Sequence, residues 1–368
     1  MPTAEELLSV DSVRRLAGVL TGVHPMPGEW SHVRRAVEAL PALGLSDRAR
    51  HVRDALIADL PEGYGALART FRTALARTEF TGWMVWPVTE AVAATAVASP
   101  QAENFDDGLA LLAELTTRLT SEFALRTFLD ADLGRTLRAA LAWTGHEDPA
   151  VRRLASEGTR PLLPWAKRVP ELGRRPDVTV PILDRLYTDD SEVVRRSVAN
   201  HLNDIARADP GLAVTTASRW SQAPDAHTAA LVRHAMRTLI KKADPGALRL
   251  LGFSADHRIT VTGPTPRQET IAEGDDLEFD SSITNNGDDE ARLLIDYVIH
   301  YRKANGATAP RVFKLSTRSL KPGETLTITR RHSFKVISTR RHHPGPHAVE
   351  MQVNGVRHGR GDFTLTKP

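Results

Sequence analysis

The segment 148–171 brings together residue types that could act on a charged polymer. Apolar residues recur at one-turn spacing from Val151, which predicts a helix with one buried face. The opposite face carries polar side chains one turn apart, namely Arg152, Arg153, Ser156, Glu157 and Arg160. Prolines then end the helix, and Trp165 follows Pro164. A cationic stripe that holds one carboxylate and ends in an indole could face an anionic polymer.

Three carboxylates are candidates for chemistry, and each also has an ordinary structural explanation. Glu157 could pair with Arg153 one turn earlier, at a gain of roughly 0.2–0.5 kcal/mol. Asp204 could pair with Asn200 or end a helix. Glu122 belongs to a series at i+4 spacing that could form an exposed ion-pair ladder, made of Glu114, Arg118, Glu122 and Arg126. Periodicity alone leaves these alternatives open.

The aromatic and imidazole side chains have similar alternatives. Trp165 could pack at a helix junction, or it could stay exposed beside carboxylates and hold a cationic heterocycle by cation–π attraction. His201 is expected to be structural. The C-terminal region contains six histidines, at 300, 332, 342, 343, 347 and 358. Because their spacing does not resemble a metal site, we expect a solvated nucleic-acid contact surface there instead.

Composition restricts the class of protein. The 368 residues are 41% hydrophobic, enough for two globular domains, and no cysteine is present. Disulfides, thiolate metal sites and a cysteine nucleophile are therefore excluded. The sequence has no apolar run of a membrane span's length, so we expect a cytoplasmic protein without a membrane partner. It also lacks the motifs of nucleotide-binding loops, dinucleotide folds, serine hydrolases and zinc proteases.

The charge is unevenly distributed. The whole chain has a formal charge of +3, but residues 292–368 carry 15 Lys and Arg against 4 Asp and Glu. The C-terminal end is thus at +11, and the remainder at −8. This asymmetry favours a polyanionic partner, although a role in solubility alone explains it too. A loop that contains Arg340, Arg341 and His342 could bind phosphates.

The first two thirds of the chain repeat a helical pattern. The segments that begin at Val151, Val194 and Val232 align at intervals of 43 and 38 residues, close to the period of HEAT-type repeats. Acidic turns precede the first two segments, as expected of helix starts. We therefore predict an α-solenoid in which aligned helices line one groove. In this alignment Arg195 and Arg196 correspond to Arg152 and Arg153.

The pattern changes near residue 252. From there, runs rich in Thr, Val and Ile alternate in polarity and are separated by Asn-Gly and Pro-Gly turns. About seven short strands in this length are typical of an immunoglobulin-like β-sandwich. The predicted domains are a HEAT-like α-solenoid over 1–250 and a β-sandwich over 254–368.

At these residues the sequence resembles the AlkC family of bacterial DNA-alkylation repair glycosylases, which are relatives of the AlkD group. The resemblance covers essentially the whole chain. The helical region contributes three of the motifs that carry it, TSEFALR (120–126), VRRLASEGTRPLLPWA (151–166) and VRRSVANHLNDIA (194–206). The β-region contributes YRKANG, RVFKLS, TRRHHPGPH and QVNG.

The resemblance implies hydrolysis of the N-glycosidic bond of N3-alkylated bases, notably 3-methylcytosine and 3-methyladenine, in duplex DNA and without base flipping. It implies that Glu122, Glu157 and Asp204 are catalytic and that Trp165 contacts the base. We expect Asp204 to contact water or the sugar, and both glutamates to stabilise charge. The arginines expected to offset these acids on DNA are Arg152, Arg153, Arg160, Arg195 and Arg196.

The reaction would need no cofactor or metal, because an alkylated base is already cationic and leaves readily. We expect a monomer that acts on alkylated double-stranded DNA. The alternative is a non-catalytic HEAT-repeat scaffold that binds DNA structures or a protein partner. The two hypotheses differ in whether the candidate acids meet at one site.

Overall fold

Helices make up the N-terminal part of the computed structural model, which describes residues 3–24, 30–336 and 341–367 of the chain. No helix in these ranges is both long and apolar enough to cross a membrane. Within the same ranges, three short 3-10 helices span Leu40–Ala42, Gly82–Met84 and Pro176–Thr179. The α-helices of the described residues are α1 (Ala4–Leu7), α2 (Val10–Val23), α3 (Ser31–Ala36), α4 (Leu45–Asp59), α5 (Tyr64–Ala74), α6 (Val85–Ala98), α7 (Glu103–Leu115), α8 (Leu125–Ala131), α9 (Leu133–Trp143), α10 (Pro149–Glu157), α11 (Pro170–Arg174), α12 (Val180–Leu186), α13 (Glu192–Ala208), α14 (Pro210–Gln222), α15 (Thr228–Ala235), α16 (Arg237–Lys241) and α17 (Pro245–Leu250).

The aligned segments form helices that pack side by side. Helix α10 contacts α13, and α13 contacts α15. The first residues of the three aligned segments, Val151, Val194 and Val232, are all buried in these helices. Stacking of equivalent helices is the arrangement of an α-solenoid, so the predicted repeat organisation is confirmed here.

Helix α10 begins where the sequence predicts. The Asp148 side chain accepts a hydrogen bond from the Ala150 amide at 2.7 Å, and Pro149 occupies the first helical turn. This cap satisfies an amide that the helix itself leaves without a partner. The helix ends at Glu157, and Gly158 follows it in close contact with Leu125. A Cβ at Gly158 would lie 2.5 Å from a Leu125 methyl carbon and 2.9 Å from the Leu154 carbonyl oxygen, so a side chain there would force its neighbours to shift.

The chain divides into two compact units, Met1–Ala235 and Met236–Pro368. The predicted end of the helical domain, at residue 250, therefore lies too late in the chain. Helices α16 and α17 belong to the second unit, where Leu248 forms a small apolar cluster with Phe253 and Leu294. Burial of these side chains attaches the last helices to the strands that follow them.

The second unit contains a β-sandwich, as predicted, with eight strands in the described residues. The strands are β1 (Ile259–Pro266), β2 (Thr270–Ala272), β3 (Asp276–Asn285), β4 (Ala291–Arg302), β5 (Thr308–Leu320), β6 (Thr325–Ser333), β7 (Gly345–Val353) and β8 (Val356–Thr366). One sheet has the order β1-β3-β6, and the other has the order β2-β8-β7-β4-β5. The predicted turns at 285–287, 322–323 and 354–355 all connect strands.

Most histidines of this unit do not form the expected solvated surface. Those buried in the sandwich are His300, His332, His342 and His347. His332 lies between two tyrosine hydroxyls, 2.9 Å from that of Tyr297 and 2.6 Å from that of Tyr301. Burial lowers the pKa of His332 to about 4, so its ring is neutral at neutral pH. The rings of His332, His342 and His347 lie among the aromatic side chains of the core, whereas His300 pairs with Glu350.

The sequence predicts DNA contacts for Arg340, Arg341 and His342, and the outcome is different for each of them. His342 is 5% exposed and stacks on Tyr301, with ring centroids 5.7 Å apart. The prediction of a direct DNA contact is therefore wrong for His342. Arg341 is exposed, whereas Arg340 lies outside the described residues. The contacts predicted for these two arginines stay predictions.

Candidate active site

The three candidate carboxylates meet in one network of ion pairs. Arg160 holds two of them together, because its Nη1 lies 2.6 Å from Glu157 Oε1 and its Nε lies 2.9 Å from Asp204 Oδ2. Glu157 ends α10 and Asp204 lies in α13, so the guanidinium joins two stacked helices. All three side chains are less than one tenth exposed. Charge-assisted hydrogen bonds of this kind are strong and fix the geometry of both acids.

Arg153 brings the third acid into the network. Its Nη1 lies 3.0 Å from Glu122 Oε2, and its Nη2 lies 3.9 Å from Glu157 Oε1. Thr120 supports this arrangement, since its hydroxyl donates to Glu122 Oε2 at 2.9 Å. The predicted Arg153–Glu157 contact is thus present but long, and Glu122 is the closer partner of Arg153.

Glu122 is not part of a helical ladder. Helix α7 ends at Leu115 and α8 begins at Leu125, so Glu122 lies in the turn between them. The ladder alternative is wrong because the chain has no regular helix there that would repeat the spacing. Burial raises the pKa of Glu122, although the nearby Arg153 guanidinium opposes this effect. A buried carboxylate with a perturbed pKa is a common feature of functional sites.

A layer of buried polar groups supports the acids from behind. The Ser197 hydroxyl donates to Glu157 Oε2 at 2.6 Å and lies 3.0 Å from Ser156 Oγ. His201 contacts the Ser156 carbonyl at 2.9 Å and the Thr179 hydroxyl at 3.0 Å. Burial lowers the pKa of His201 to about 3, which keeps this ring neutral. The structural role predicted for His201 is confirmed.

Trp165 differs from the three acids in being largely exposed. Its side chain is 60% exposed, and its backbone adopts φ +62°, a left-handed conformation that bulky residues rarely adopt. Such a conformation costs about 1–3 kcal/mol and persists only where the surroundings enforce it. Packing at a helix junction, the structural alternative, does not fit this exposure. An exposed indole on a strained backbone points to a binding role.

The arginines of the expected cationic stripe have different surroundings. Arg160 is buried between carboxylates, so the prediction that it contacts DNA is wrong. Ser156 is fully buried, so Arg152, Ser156 and Arg160 do not form an exposed row. Arg152 instead donates to both carboxylate oxygens of Asp189, at 2.6 and 3.0 Å. These contacts stabilise the turn before α13 rather than the surface of a groove.

The second repeat presents its two arginines differently. Arg195 is half-buried and donates to the Asp190 carbonyl at 2.8 Å. Arg196 is 65% exposed, and its pair with Glu192 is equally open to solvent. Because exposed ion pairs are weak, Arg196 is the arginine of the set most available to an anionic partner. DNA contacts by Arg152, Arg153, Arg195 and Arg196 stay predictions.

Ser197 and Thr120 are partners of the acids that the sequence did not predict. Ser197 could have been found, because it occupies a position of the apolar stripe of α13 between Val194 and Val198. A polar side chain at a core position needs a partner, and Glu157 is that partner. Thr120 gives no comparable signal, since it lies in a turn.

The fold and the network define a helical-repeat protein with acids buried between stacked helices and an immunoglobulin-like C-terminal domain. Residues 260–367 match the family model described as the C-terminal Ig-like domain of the uncharacterised protein YhaZ. The chain is 36% identical over 319 residues to the uncharacterized protein YhaZ of Bacillus subtilis (strain 168), with 87% of each chain covered.

Similarity to a solved structure extends over both units. The Pseudomonas fluorescens alkylpurine DNA glycosylase AlkC, bound to DNA containing an abasic site analog, is 33% identical with a TM-score of 0.82. The match covers 99% of this chain and 100% of the other. The chain belongs to the AlkC family. The resemblance found in the sequence motifs and the predicted fold class are both confirmed.

Proposed function

We propose that this protein is a monofunctional DNA glycosylase that hydrolyses the N-glycosidic bond of N3-alkylated bases in duplex DNA. The observation that carries the proposal is the convergence of Glu122, Glu157 and Asp204 on one network. The similar AlkC structure is that of an alkylpurine DNA glycosylase on DNA, which supports the same class of reaction here. 3-Methylcytosine and 3-methyladenine are the proposed substrate bases.

The charge of the network suits a cationic substrate. Its three carboxylates are offset by only two guanidinium groups, those of Arg153 and Arg160. When all five groups are ionised, one negative charge remains in a site of low polarity. Such a site stabilises positive charge more strongly than bulk water does. An N3-alkylated base carries that positive charge before the reaction, and the sugar acquires it as the bond breaks.

The proposed reaction needs one water molecule. The bond between C1′ and the base nitrogen breaks, and its electron pair neutralises the positive charge of the base. Water oxygen bonds to C1′, and the proton it loses passes to a carboxylate and then to solvent. Asp204 suits the water-binding role, because Arg160 binds its Oδ2 whereas Oδ1 accepts no hydrogen bond from the described residues. Glu122 and Glu157 are assigned to charge stabilisation.

Trp165 is proposed to contact the lesion. Its exposed indole can bind a cationic heterocycle face to face, and such contacts gain strength when water is excluded. An exposed residue can meet a base that stays within the helix, so excision without base flipping is the proposed mode. Monomeric action, independence of cofactors and a cytoplasmic location remain predictions from the sequence.

Release of free base tests the proposed function. The full chain is incubated with duplexes that each contain a single 3-methylcytosine or 3-methyladenine, and with the same duplex unmodified. We expect abasic sites and free alkylated base from the modified duplexes only. The non-catalytic scaffold alternative predicts binding that is indifferent to alkylation and leaves every duplex intact. Intact modified DNA after prolonged incubation would exclude the glycosylase.

The basic loop of the β-sandwich provides a separate prediction about DNA affinity. Replacing both Arg340 and Arg341 by alanine should weaken binding to any duplex and reduce the salt slope of log K by about 0.9 for each phosphate that is no longer neutralised. The measurement is DNA affinity at several salt concentrations. Replacing Arg14, whose exposed partner is Asp11 in α2, serves as a control that should leave the slope unchanged. An unchanged slope in the loop variant would exclude the two arginines as phosphate ligands.

A further inference from the structure

A pocket with a volume of about 260 Å³ lies in the N-terminal unit, and we call it the Trp86 pocket. Residues of α4 and α6 line it together with the segments 123–127 and 165–167. None of the three acids of the candidate active site is among its lining residues. Its size suits one small ligand rather than a length of polymer. Only Trp165 belongs to both sites.

Arg126 lines this pocket, and one of its donors has no hydrogen-bond partner among the described residues. Its Nε donates to the Lys167 carbonyl at 3.0 Å, and its Nη1 donates to the carbonyls of Gly158 and Arg160 at 3.1 and 2.8 Å. Its Nη2 is buried without a hydrogen bond, and the residue is only 1% exposed. A buried, unpaired donor on a cation is costly, so an anionic oxygen that came within reach of Nη2 would be stabilised there.

Arg126 should keep its charge under physiological conditions. Burial lowers the pKa of Arg126 to about 10, which is still well above neutral pH. Further positive charge surrounds the pocket, since Arg50, Arg53 and Lys167 also line it. Their acidic partners are surface residues, such as Asp54 for Arg53 at 2.7 Å. Pairs of this kind are weak, so these side chains remain available to a ligand.

Aromatic rings form the other part of the pocket. The rings of Trp86 and Phe123 lie 4.7 Å apart at 33°, and Trp165 adds a largely exposed indole. Glu90 lines the same pocket and accepts a hydrogen bond from Trp86 Nε1 at 3.2 Å. Aromatic faces beside basic side chains are the combination with which proteins bind single nucleotides of unpaired nucleic acid.

We propose that the Trp86 pocket binds one nucleotide, with its phosphate on Arg126 and Arg53 and its base against Phe123 and Trp165. The nucleotide can be an unpaired unit of a DNA strand or a free mononucleotide, because both present a phosphate next to an aromatic ring. The site shares Trp165 with the proposed lesion contact, but the three acids of the proposed excision chemistry do not line it, and nucleotide binding does not require that chemistry.

Titration of the full chain with dAMP tests the chemistry of the pocket. Binding is measured by calorimetry and by tryptophan fluorescence, to which Trp86 and Trp165 contribute directly. We expect saturable binding of dAMP that is at least about tenfold tighter than that of deoxyadenosine or of inorganic phosphate. Deoxyadenosine lacks the phosphate that the arginines would bind, and inorganic phosphate lacks the base that the aromatic rings would bind. Equal affinity for inorganic phosphate and dAMP would overturn a free mononucleotide as the ligand of the pocket.

Variants locate the binding in the pocket. Arg53→Gln should weaken dAMP binding about tenfold, the effect of losing one charged hydrogen bond. The matched control is Arg14→Gln, which also removes an arginine from a surface ion pair and should leave affinity unchanged. Phe123→Leu should weaken dAMP more than inorganic phosphate. Equal affinity of the Arg53 and Arg14 variants for every nucleotide ligand contradicts the proposal.

Binding measurements with DNA distinguish the two sources of the nucleotide. The probes are a duplex with one extrahelical nucleotide and the same duplex fully paired, both without alkylation. A preference for the extrahelical duplex that Arg53→Gln abolishes identifies the strand as the source, whether or not dAMP binds. Binding of dAMP without such a preference identifies the free nucleotide. If neither result is obtained, the proposal of a nucleotide site in the Trp86 pocket is wrong. The proposed glycosylase activity is tested separately, by base release from alkylated DNA.

Discussion

Asp204→Asn should reduce base excision by at least about 100-fold, the loss typical of removing one pre-organised charged group. Asparagine keeps the size of the side chain but removes the negative charge that would orient water and stabilise the cationic sugar. It also leaves Arg160 with one acid, Glu157, in place of two. Single-turnover release of 3-methyladenine from a duplex measures the effect without a contribution from product dissociation.

Glu157→Gln is the companion variant, because Glu157 accepts hydrogen bonds from both Arg160 and Ser197. Asp189→Asn is a suitable control, since Asp189 is a buried acid paired with Arg152 outside the network. Excision should fall in the first variant and persist in the control. Excision at the wild-type rate by both Asp204→Asn and Glu157→Gln would remove the proposed mechanism.

Arg160→Met should lower the free energy of unfolding by about 3–5 kcal/mol, because it leaves buried carboxylates without their cation. Arg160 is only 8% exposed at its side chain, and its two partners are 9% and 4% exposed. Water therefore cannot replace the lost guanidinium. Chemical denaturation measures this loss when unfolding is monitored by the circular dichroism signal of the helices.

Arg196→Met is the control for Arg160→Met. Arg196 pairs with Glu192 at the surface, where both side chains are well exposed, so its loss should cost less than about 1 kcal/mol. The double variant Arg160→Met with Glu157→Gln should recover part of the stability, since one of the buried charges is then removed. Equal unfolding free energies for the Arg160 and Arg196 variants are incompatible with a buried bridge between two acids.

Local signals in the sequence were sufficient to predict much of the fold. Asp148 caps α10 as its position before a proline and an apolar stripe predicts. The Asn-Gly and Pro-Gly turns lie between strands because these residues adopt tight turns at low cost. The domain boundary was less accurate, because the helices after residue 235 have ordinary helical patterns and only tertiary packing assigns them to the second unit.

The candidate site was predictable in its members but not in its geometry. Sequence motifs identified Glu122, Glu157 and Asp204. The arginines four residues before and after Glu122, Arg118 and Arg126, are nevertheless not its ion-pair partners. Glu122 pairs with Arg153, from a different part of the chain, because the turn after α7 lies against α10. Arg160 has the spacing of a surface stripe, but the chain leaves the helix before this residue and directs its guanidinium inward.

The absence of a side chain at Gly158 lets the end of α10 lie close to Leu125 in α8. Gly158 directly follows Glu157, and a side chain there would collide with Leu125, which lies three residues after Glu122. Even an alanine would act as a wedge between the end of α10 and the start of α8. Transplanting the acid motif into another repeat scaffold would thus require this glycine along with the carboxylates.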